Sequence, residues 1–477
     1  MNSRIRYLYG VFVLLLLLLI GFTSYWSVFD ADSLRANRDN RLPLLQQQQI
    51  RRGVIYAGNE TIVARNRVSG SGGGRFYSRT YPTASLFSHP VGYSFVDQGS
   101  AGLERYYNDE LTGEGDEFGN LLDRLRGKRR EGDDLITALD ADAQRIALAG
   151  LAGRAGGVVA LDPRTGRVLV MASLPGFDPN AVPEDLAKLN RDPAAPLLNR
   201  DTQSGYPPGS TFKVVTATAA LDSGKFTADS VLSGRSPQRF QSFPLSNFNN
   251  QQFGEITLTQ ALTNSVNTVW AQVGEEVGAD TLYEYMNRYG FNRKPRIDLP
   301  RDELRASGLY APNGKLLSPS NPIDAARVAI GQERLAVTPL QMAEVVAAIA
   351  NDGRLMRPYI AEKTIDRDGR TAHEYEPSEQ SKVMKPTTAA TLTDMMKQVV
   401  REGTGTAAAL AGIDVAGKTG TAEKGDGVNQ AWVIAFAPAD APRVAIAVTV
   451  ERTIGTGGEV AAPIAKQVME TLLAEQG

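Results

Sequence analysis

Apolar and polar positions change their spacing several times along this chain, and each change marks a different kind of element. No charged residue lies between Arg6 and Asp30, and the run LYGVFVLLLLLLIGF within it is apolar throughout. With its flanks this run is long enough to cross a bilayer as one helix. Arg4 and Arg6 precede it, which predicts a cytoplasmic N-terminus with the rest of the chain outside. Tyr25 and Trp26 suit the outer interface. No A-x-A site follows the run, so it reads as an uncleaved anchor rather than a signal peptide. From Ser27 to about Gln49 the chain is polar and mixed in charge, and it reads as a stalk.

Strand-like segments follow. VIYAGNETIVARNRV and RFYSRTYP predict strands joined by the flexible loop Ser69–Gly74. No Gly-Lys-Ser/Thr and no helix follow that loop, so it reads as a turn. The densely charged run Asp123–Asp134 reads as a solvated boundary. Beyond it, DADAQRIALAGLAG is an amphipathic helix, and GGVVALDPRTGRVLVMAS is two strands about a turn at Pro163–Gly166, hence antiparallel. Phe240–Phe253 is loop-like. Helices are expected at Leu258–Glu276, at Asp280–Tyr289 with Asp280 as N-cap, at Pro339–Asn351 and at Thr388–Glu402. Strands are expected at Ala431–Ala437 and Val444–Val450, and a last helix from about Ala461. No repeat of fixed period is present.

Composition narrows the chemistry. A chain of 477 residues implies two or three units. With 42% hydrophobic and 22% charged residues it is globular, and a net charge of -2 gives no sign of a nucleic-acid partner. There is no cysteine, which excludes disulfides, thiolate metal sites and cysteine nucleophiles. The only histidines, His89 and His373, are far apart and in no catalytic-looking context, which argues against a Ser-His-Asp triad. H-E-x-x-H is absent and no metal or other cofactor is expected.

Three short motifs carry candidate chemistry. In GYPPGSTFKVVTATAA, Pro207, Pro208 and Gly209 interrupt what precedes and an apolar helix-length run follows. Ser210 falls at the helix start, and Lys213 is three residues on, on the same face. Taken alone, the pair is either an N-terminal serine with a solvated lysine, or a nucleophile with a base whose pKa burial lowers. In LTNSVNTVW, Ser265 and Asn267 are two apart. They diverge on a regular helix and face one cleft on an irregular turn. In AGKTGTAEK, Lys418, Thr419, Gly420 and Thr421 read as a strand edge. There Gly420 lets a ligand approach the backbone, and a lysine with two hydroxyls suits a carboxylate. Gly412–Thr419 also satisfies G-x-x-x-x-G-K-[ST], a phosphate-binding loop and hence a nucleotide-binding alternative. That motif needs a strand before it and a helix after it, and neither is expected here.

Ser210-Thr-Phe-Lys213, Ser265-Val-Asn267 and Lys418-Thr-Gly420, in that order, resemble the three motifs of penicillin-binding proteins and serine β-lactamases. LDPRTGRVLVMAS, PPGSTFK and GQERLAVTPLQMA at Gly331–Ala343 add to the likeness, which covers about 135–477. It is closest to class B penicillin-binding proteins of the actinobacterial penicillin-binding protein A type. The resemblance implies an α/β (α+β) fold of the transpeptidase/β-lactamase kind, with an antiparallel sheet flanked by helices. A smaller β-rich N-terminal domain and a single transmembrane helix complete it. The organisation implied is a cytoplasmic tip and anchor (1–29), a stalk (30–50), a non-catalytic dimerisation or pedestal domain (51–134) and a transpeptidase domain (135–477).

The implied activity is D,D-transpeptidation of peptidoglycan stem peptides ending in D-Ala-D-Ala, through an acyl-enzyme on a serine that β-lactam antibiotics also acylate. The implied catalytic residues are Ser210, Lys213 and Ser265. Asn267, Lys418, Thr419, Gly420 and Thr421 would bind substrate, and the backbone N–H groups of Ser210 and Thr421 would form the oxyanion hole. About a hundred residues separate anchor and transpeptidase, too few for a glycosyltransferase, so a RodA/FtsW-type glycan polymerase is the implied membrane partner. A β-lactam sensor and a class D-like β-lactamase share the fold and the serine. In the N-terminal domain, Arg52-Gly-Val-Ile55 matches the family's R-G-x-I without its following Asp-Arg, and Gly102-Leu-Glu104 matches its G-x-E.

Overall fold

The computed structural model describes residues 2–25, 49–70, 75–114, 130–240, 243–423 and 427–474. Trp26, nearly all of the expected stalk, the tip of the 69–74 loop and most of the charged run before Asp134 lie outside them. Helix α1 (Asn2–Ser24) carries the apolar run. Its 21 residues Arg4–Ser24 are long and apolar enough to cross a membrane, and none of that span is buried in the protein. At about 1.5 Å per residue the span matches a hydrocarbon layer of roughly 30 Å.

Strands β1 (Ile55–Tyr56), β2 (Ile62–Ser69) and β3 (Phe76–Thr80) follow. The expected hairpin is β2–β3, antiparallel, with Arg65 opposite Thr80. The segment expected as one strand is two. A turn closed by Ala57 N–H to Thr61 O (2.9 Å), with Glu60 at φ 62°, folds β2 back along β1. This unit is organised on Glu104. Its buried carboxylate accepts from Arg52 Nε at 2.7 Å, Arg79 Nε at 2.5 Å and Tyr81 Oη at 3.2 Å. Burial pushes the Glu104 carboxyl up, but the Arg79 and Arg52 guanidiniums outweigh it and hold it below the ordinary value.

Strand β4 (Asp134–Thr137), helix α2 (Ala141–Leu151) and the hairpin β5 (Gly156–Leu161) and β6 (Val168–Leu174) come next. Asp140 caps α2 by accepting from Ala143 N–H at 2.7 Å. The helical lobe holds α3 (Lys213–Asp222), α4 (Leu258–Thr263), α5 (Asn267–Val277), α6 (Ala279–Arg288) and α7 (Pro339–Ala350). Strands β7 (Ala361–Ile365) and β8 (Thr371–Glu374) precede α8 (Pro386–Arg401). The chain closes with β9 (Ala416–Glu423), β10 (Asn429–Ala437), β11 (Val444–Thr453) and α9 (Ala462–Ala474).

Three expectations shift. The segment expected as one helix over Leu258–Glu276 is α4 and α5 with a break at 264–266. Helix α6 starts after Gly278, at φ 85°, and no side chain caps it; Asp280 sits inside the first turn, where its charge suits the helix dipole. The 240–253 loop includes a short strand, Phe243–Leu245, paired with Gln238–Phe240.

Two sheets result. The central one is five-stranded and antiparallel, in the order β9-β10-β11-β5-β6. Its inner face packs Val159, Trp432 and Ala447 against Val214, Trp270 and Leu340 of the lobe. Its outer face packs Val158, Val433 and Ile446 against Ala147 of α2 and Val468 of α9. Cover on both faces is why β5, β10 and β11 read as nearly unbroken apolar runs. The second sheet has the order β8-β7-β4-β1-β2-β3. The expected boundary at 134/135 falls within β4, which pairs parallel with β1 and antiparallel with β7. The N-terminal unit thus borrows residues 361–374 from far along the chain to finish its sheet.

Helix α7 carries one acid into the inner core. Glu344 is fully buried, its Oε1 has no hydrogen-bond partner, and burial pushes its pKa up to about 8. Between about 4.5 and 8 the unfolded chain has released this proton and the folded chain has kept it, so stability from this group falls as pH rises through that window. The Glu344→Gln variant is therefore expected to gain on the parent, by on the order of 4–5 kcal/mol, between pH 4.5 and 8. Denaturant unfolding at both pH values measures this, and a gap that does not change with pH would refute it.

Candidate active site

The loop into α3 is pinned at four places. Tyr206 exchanges backbone bonds with Val337 (2.9 and 2.8 Å), and its hydroxyl donates to Glu451 Oε1 at 2.6 Å. Trp432 Nε1 donates to Pro207 O at 3.0 Å, and Gly209 N–H donates to Gly331 O at 3.1 Å. Gly331, at φ 73°, is required by this contact, since a Cβ there would sit 1.9 Å from Gly209 O. Ser210 lies in the 3-10 turn Gly209–Phe212, half-buried, and Lys213 opens α3, fully buried.

Ser265 sits in the break between α4 and α5 at φ 58°, a left-handed conformation that a non-glycine residue seldom adopts and that often marks a functional turn. That conformation turns both its carbonyl and its hydroxyl toward Lys213. Lys213 Nζ donates to Ser265 O and to Asn267 Oδ1, each at 2.7 Å, and lies 3.3 Å from Ser265 Oγ. Lys418 Nζ donates to the same Ser265 Oγ at 3.0 Å and to Thr419 O at 2.9 Å. Asn267 is held from behind by Nδ2 to Ser246 O at 3.1 Å. Its Oδ1 is taken by Lys213, so the amide hydrogen left on Nδ2 is what it has for a ligand.

Both lysines are fully buried. Burial pulls Lys213 well below the ordinary lysine value, and the neighbouring Lys418 charge pulls it further. Burial brings Lys418 down to about 7. A neutral Lys213 amine has two N–H bonds and one lone pair. The two 2.7 Å contacts use the N–H bonds, which leaves the lone pair to accept a proton.

Lys418, Thr419, Gly420 and Thr421 lie on β9, the edge strand of the central sheet. Gly420 admits a close approach of the protein's own backbone. A Cβ there would come 2.8 Å from Pro208 O and 3.1 Å from Thr211 N, so the glycine lets the Ser210 turn lie against the strand edge. The phosphate-loop alternative fails on local structure. Gly417-Lys418-Thr419 is strand, and the next element among the described residues is strand β10, not a helix.

Several residues at this site were not singled out from the sequence. Thr404 Oγ1 lies 2.5 Å from Thr419 Oγ1, and Gly457 N–H donates to Thr421 Oγ1 at 3.1 Å. Asn247, buried, joins Gly234 O and Gln251 O to the start of α5 through Thr268. This holds the neighbouring Ser246 carbonyl where Asn267 meets it. The one sequence cue for Asn247 was its place in an Asn- and Gln-rich loop.

Residues 156–470 match the family model described as the penicillin binding protein transpeptidase domain, and residues 52–135 match the penicillin binding protein A dimerisation domain. The chain is 36% identical to the peptidoglycan D,D-transpeptidase PbpA of Mycolicibacterium smegmatis, over all of both chains. It is 34% identical to that of Mycobacterium tuberculosis, over 99% of each. The structure of the M. tuberculosis penicillin-binding protein A ceftriaxone acyl-enzyme superposes with a TM-score of 0.81 at 32% identity, covering 90% of this chain and 100% of that one. The D,D-transpeptidase domain from Eggerthella lenta superposes at 0.78, with 34% identity over 89% and 99%.

Proposed function

The chain belongs to the penicillin-binding protein transpeptidases, among the class B enzymes, and on that footing we propose that Ser210 is its acylated nucleophile and Lys213 the base that activates it. The enzyme is a peptidoglycan D,D-transpeptidase that binds penicillin covalently. Ser210 Oγ attacks the penultimate carbonyl of a D-Ala-D-Ala stem peptide while Lys213 takes its proton. The backbone N–H groups of Ser210 and Thr421 receive the oxyanion, where each such donor is worth about 3–4 kcal/mol. Ser265, in reach of both lysines, passes a proton to the leaving amine, and the terminal D-Ala departs. An amine from a neighbouring strand then attacks the ester, Ser210 recovers its proton, and the cross-link is made.

Asn267 donates its free amide hydrogen to the substrate backbone. Lys418, Thr419 and Thr421 bind the terminal carboxylate, and Gly420 keeps the nucleophile turn against their strand. The observation that carries this reading is the chain from buried Lys213 through half-buried Ser265 Oγ to buried Lys418, which supplies a base of lowered pKa, a proton relay and a cation in contact with one another. The test is a tryptic digest of the penicillin-treated protein. The penicilloyl mass is expected on the peptide containing Ser210, and an adduct on any other serine would overturn the assignment.

The membrane-length helix α1 fits an anchor. Arg4 and Arg6 before it support a cytoplasmic N-terminus and an extracytoplasmic catalytic unit, where peptidoglycan is. In the proposed division, residues 1–29 are tip and anchor, 30–50 stalk, 51–134 a spacer and docking platform, and 135–477 the transpeptidase. A RodA/FtsW-type polymerase would supply the glycan strand.

A further inference from the structure

We propose that Thr404, together with the backbone N–H of Gly457, sets the hydrogen-bond polarity of Thr419 and Thr421 so that both hydroxyl protons are directed at the substrate carboxylate. This rests on reading those two threonines as the carboxylate subsite. A carboxylate only accepts, and a threonine hydroxyl has one proton to give. Each threonine can therefore bind the ligand only if its own protein partner is a donor. For Thr421 this is guaranteed, because its partner is an amide, Gly457 N–H at 3.1 Å. For Thr419 the partner is another hydroxyl, Thr404 Oγ1 at 2.5 Å, and either oxygen can hold the shared proton. Among the described residues neither hydroxyl shows a second partner, so once a carboxylate takes the Thr419 proton, Thr404 is the one that must donate to Thr419. Thr419 is buried to within 6%, so water is a poor substitute for this donor.

The backbone around Thr404 is held in keeping with such a role. It lies on the loop between α8 and β9, flanked by Gly403 and Gly405. A Cβ on Gly403 would be 2.4 Å from Thr263 O, next to the Ser265 turn, and one on Gly458 would be 2.5 Å from Thr404 O. Thr404 N–H also reaches Thr263 O at 3.4 Å. The loop is thus wedged between the turn that carries Ser265 and the turn that carries Gly457. Both inputs to the carboxylate subsite come from outside the three motifs, and their turns pack together where Gly458 lies against Thr404 O.

The experiment compares acylation by benzylpenicillin and by its methyl ester, which lacks the charge, in the parent, Thr404→Val and Thr404→Ser proteins. Thr404→Val is expected to slow the acid about tenfold, the scale of one hydrogen bond to a charged group, and to leave the ester within about twofold. Thr404→Ser keeps the donor and is expected to match the parent with both probes. An equal fall for acid and ester would make Thr404 a mere loop support and overturn the inference, as would no fall for either. A parent protein that reacts equally with acid and ester would instead overturn the subsite reading, and the inference with it.

Discussion

A Lys213→Met protein is expected to acylate about a thousandfold more slowly with penicillin, while its melting temperature stays level or rises. The rate argument is that a serine without its base loses the roughly 10²–10⁴ of general-base catalysis. Lys418 contacts Ser265 Oγ but donates its second bond to its own strand, at Thr419 O. The stability argument runs the other way. Lys213 is fully buried, and its lowered pKa means that the fold resists its charged form. Methionine fills a similar volume without that cost. Against it stand the two acceptors left unpaired, Ser265 O and Asn267 Oδ1, so the balance is close to neutral. Lys213→Arg separates charge from basicity. Arginine keeps the cation and does not deprotonate, so it is expected to be as slow as methionine. An active arginine variant, or a methionine variant that loses fold and activity together, would count against a base at this position.

How much of this site could be read in advance follows from where each contact originates. Ser210 and Lys213 are three residues apart, in the 3-10 turn and at the first position of the helix it runs into, so their pairing was legible from spacing. The Ser265 turn was legible only as an alternative, because the apolar pattern on both sides of it continues as one helix. What breaks the helix is a positive φ at a serine, which no periodicity signals. Thr404 was not legible at all. It reaches Thr419 only because α8 and β9 come together in the fold, and the local sequence GTGTAA reads as a small-residue loop. Gly331 was quoted within a family-like stretch, and its reason is steric, the approach of Gly209 from far away in sequence. The same limit applied to the N-terminal unit. Its hairpin was visible, but the strands that finish its sheet lie at 361–374, and long-range pairing leaves no mark on local pattern.

The second large effect is in pH dependence. Ser265 Oγ stands between two amines, so Lys213 and Lys418 titrate as a pair. The Lys418 charge helps to push the proton off Lys213, and Lys418 itself holds its proton up to about 7. In the proposed mechanism the reactive form has Lys213 neutral, to take the serine proton, and Lys418 charged, to meet the carboxylate. The second-order rate of penicillin acylation is therefore expected to rise with pH as Lys213 deprotonates and to fall again near pH 7 as Lys418 does, since this rate reports the free enzyme. In Lys418→Ala, Lys213 loses the neighbouring charge and keeps its burial. Its pKa then moves up toward the ordinary lysine value, so the rising limb shifts to higher pH, and the falling limb disappears. In Lys418→Arg the charge persists at every accessible pH. The rising limb then stays where the parent has it, while the falling limb still disappears. The three profiles, measured from pH 5 to 10 with labelled penicillin, distinguish a coupled pair from two independent lysines. A rising limb that does not move in Lys418→Ala would mean that burial alone sets Lys213, and that the second lysine serves the carboxylate and nothing else.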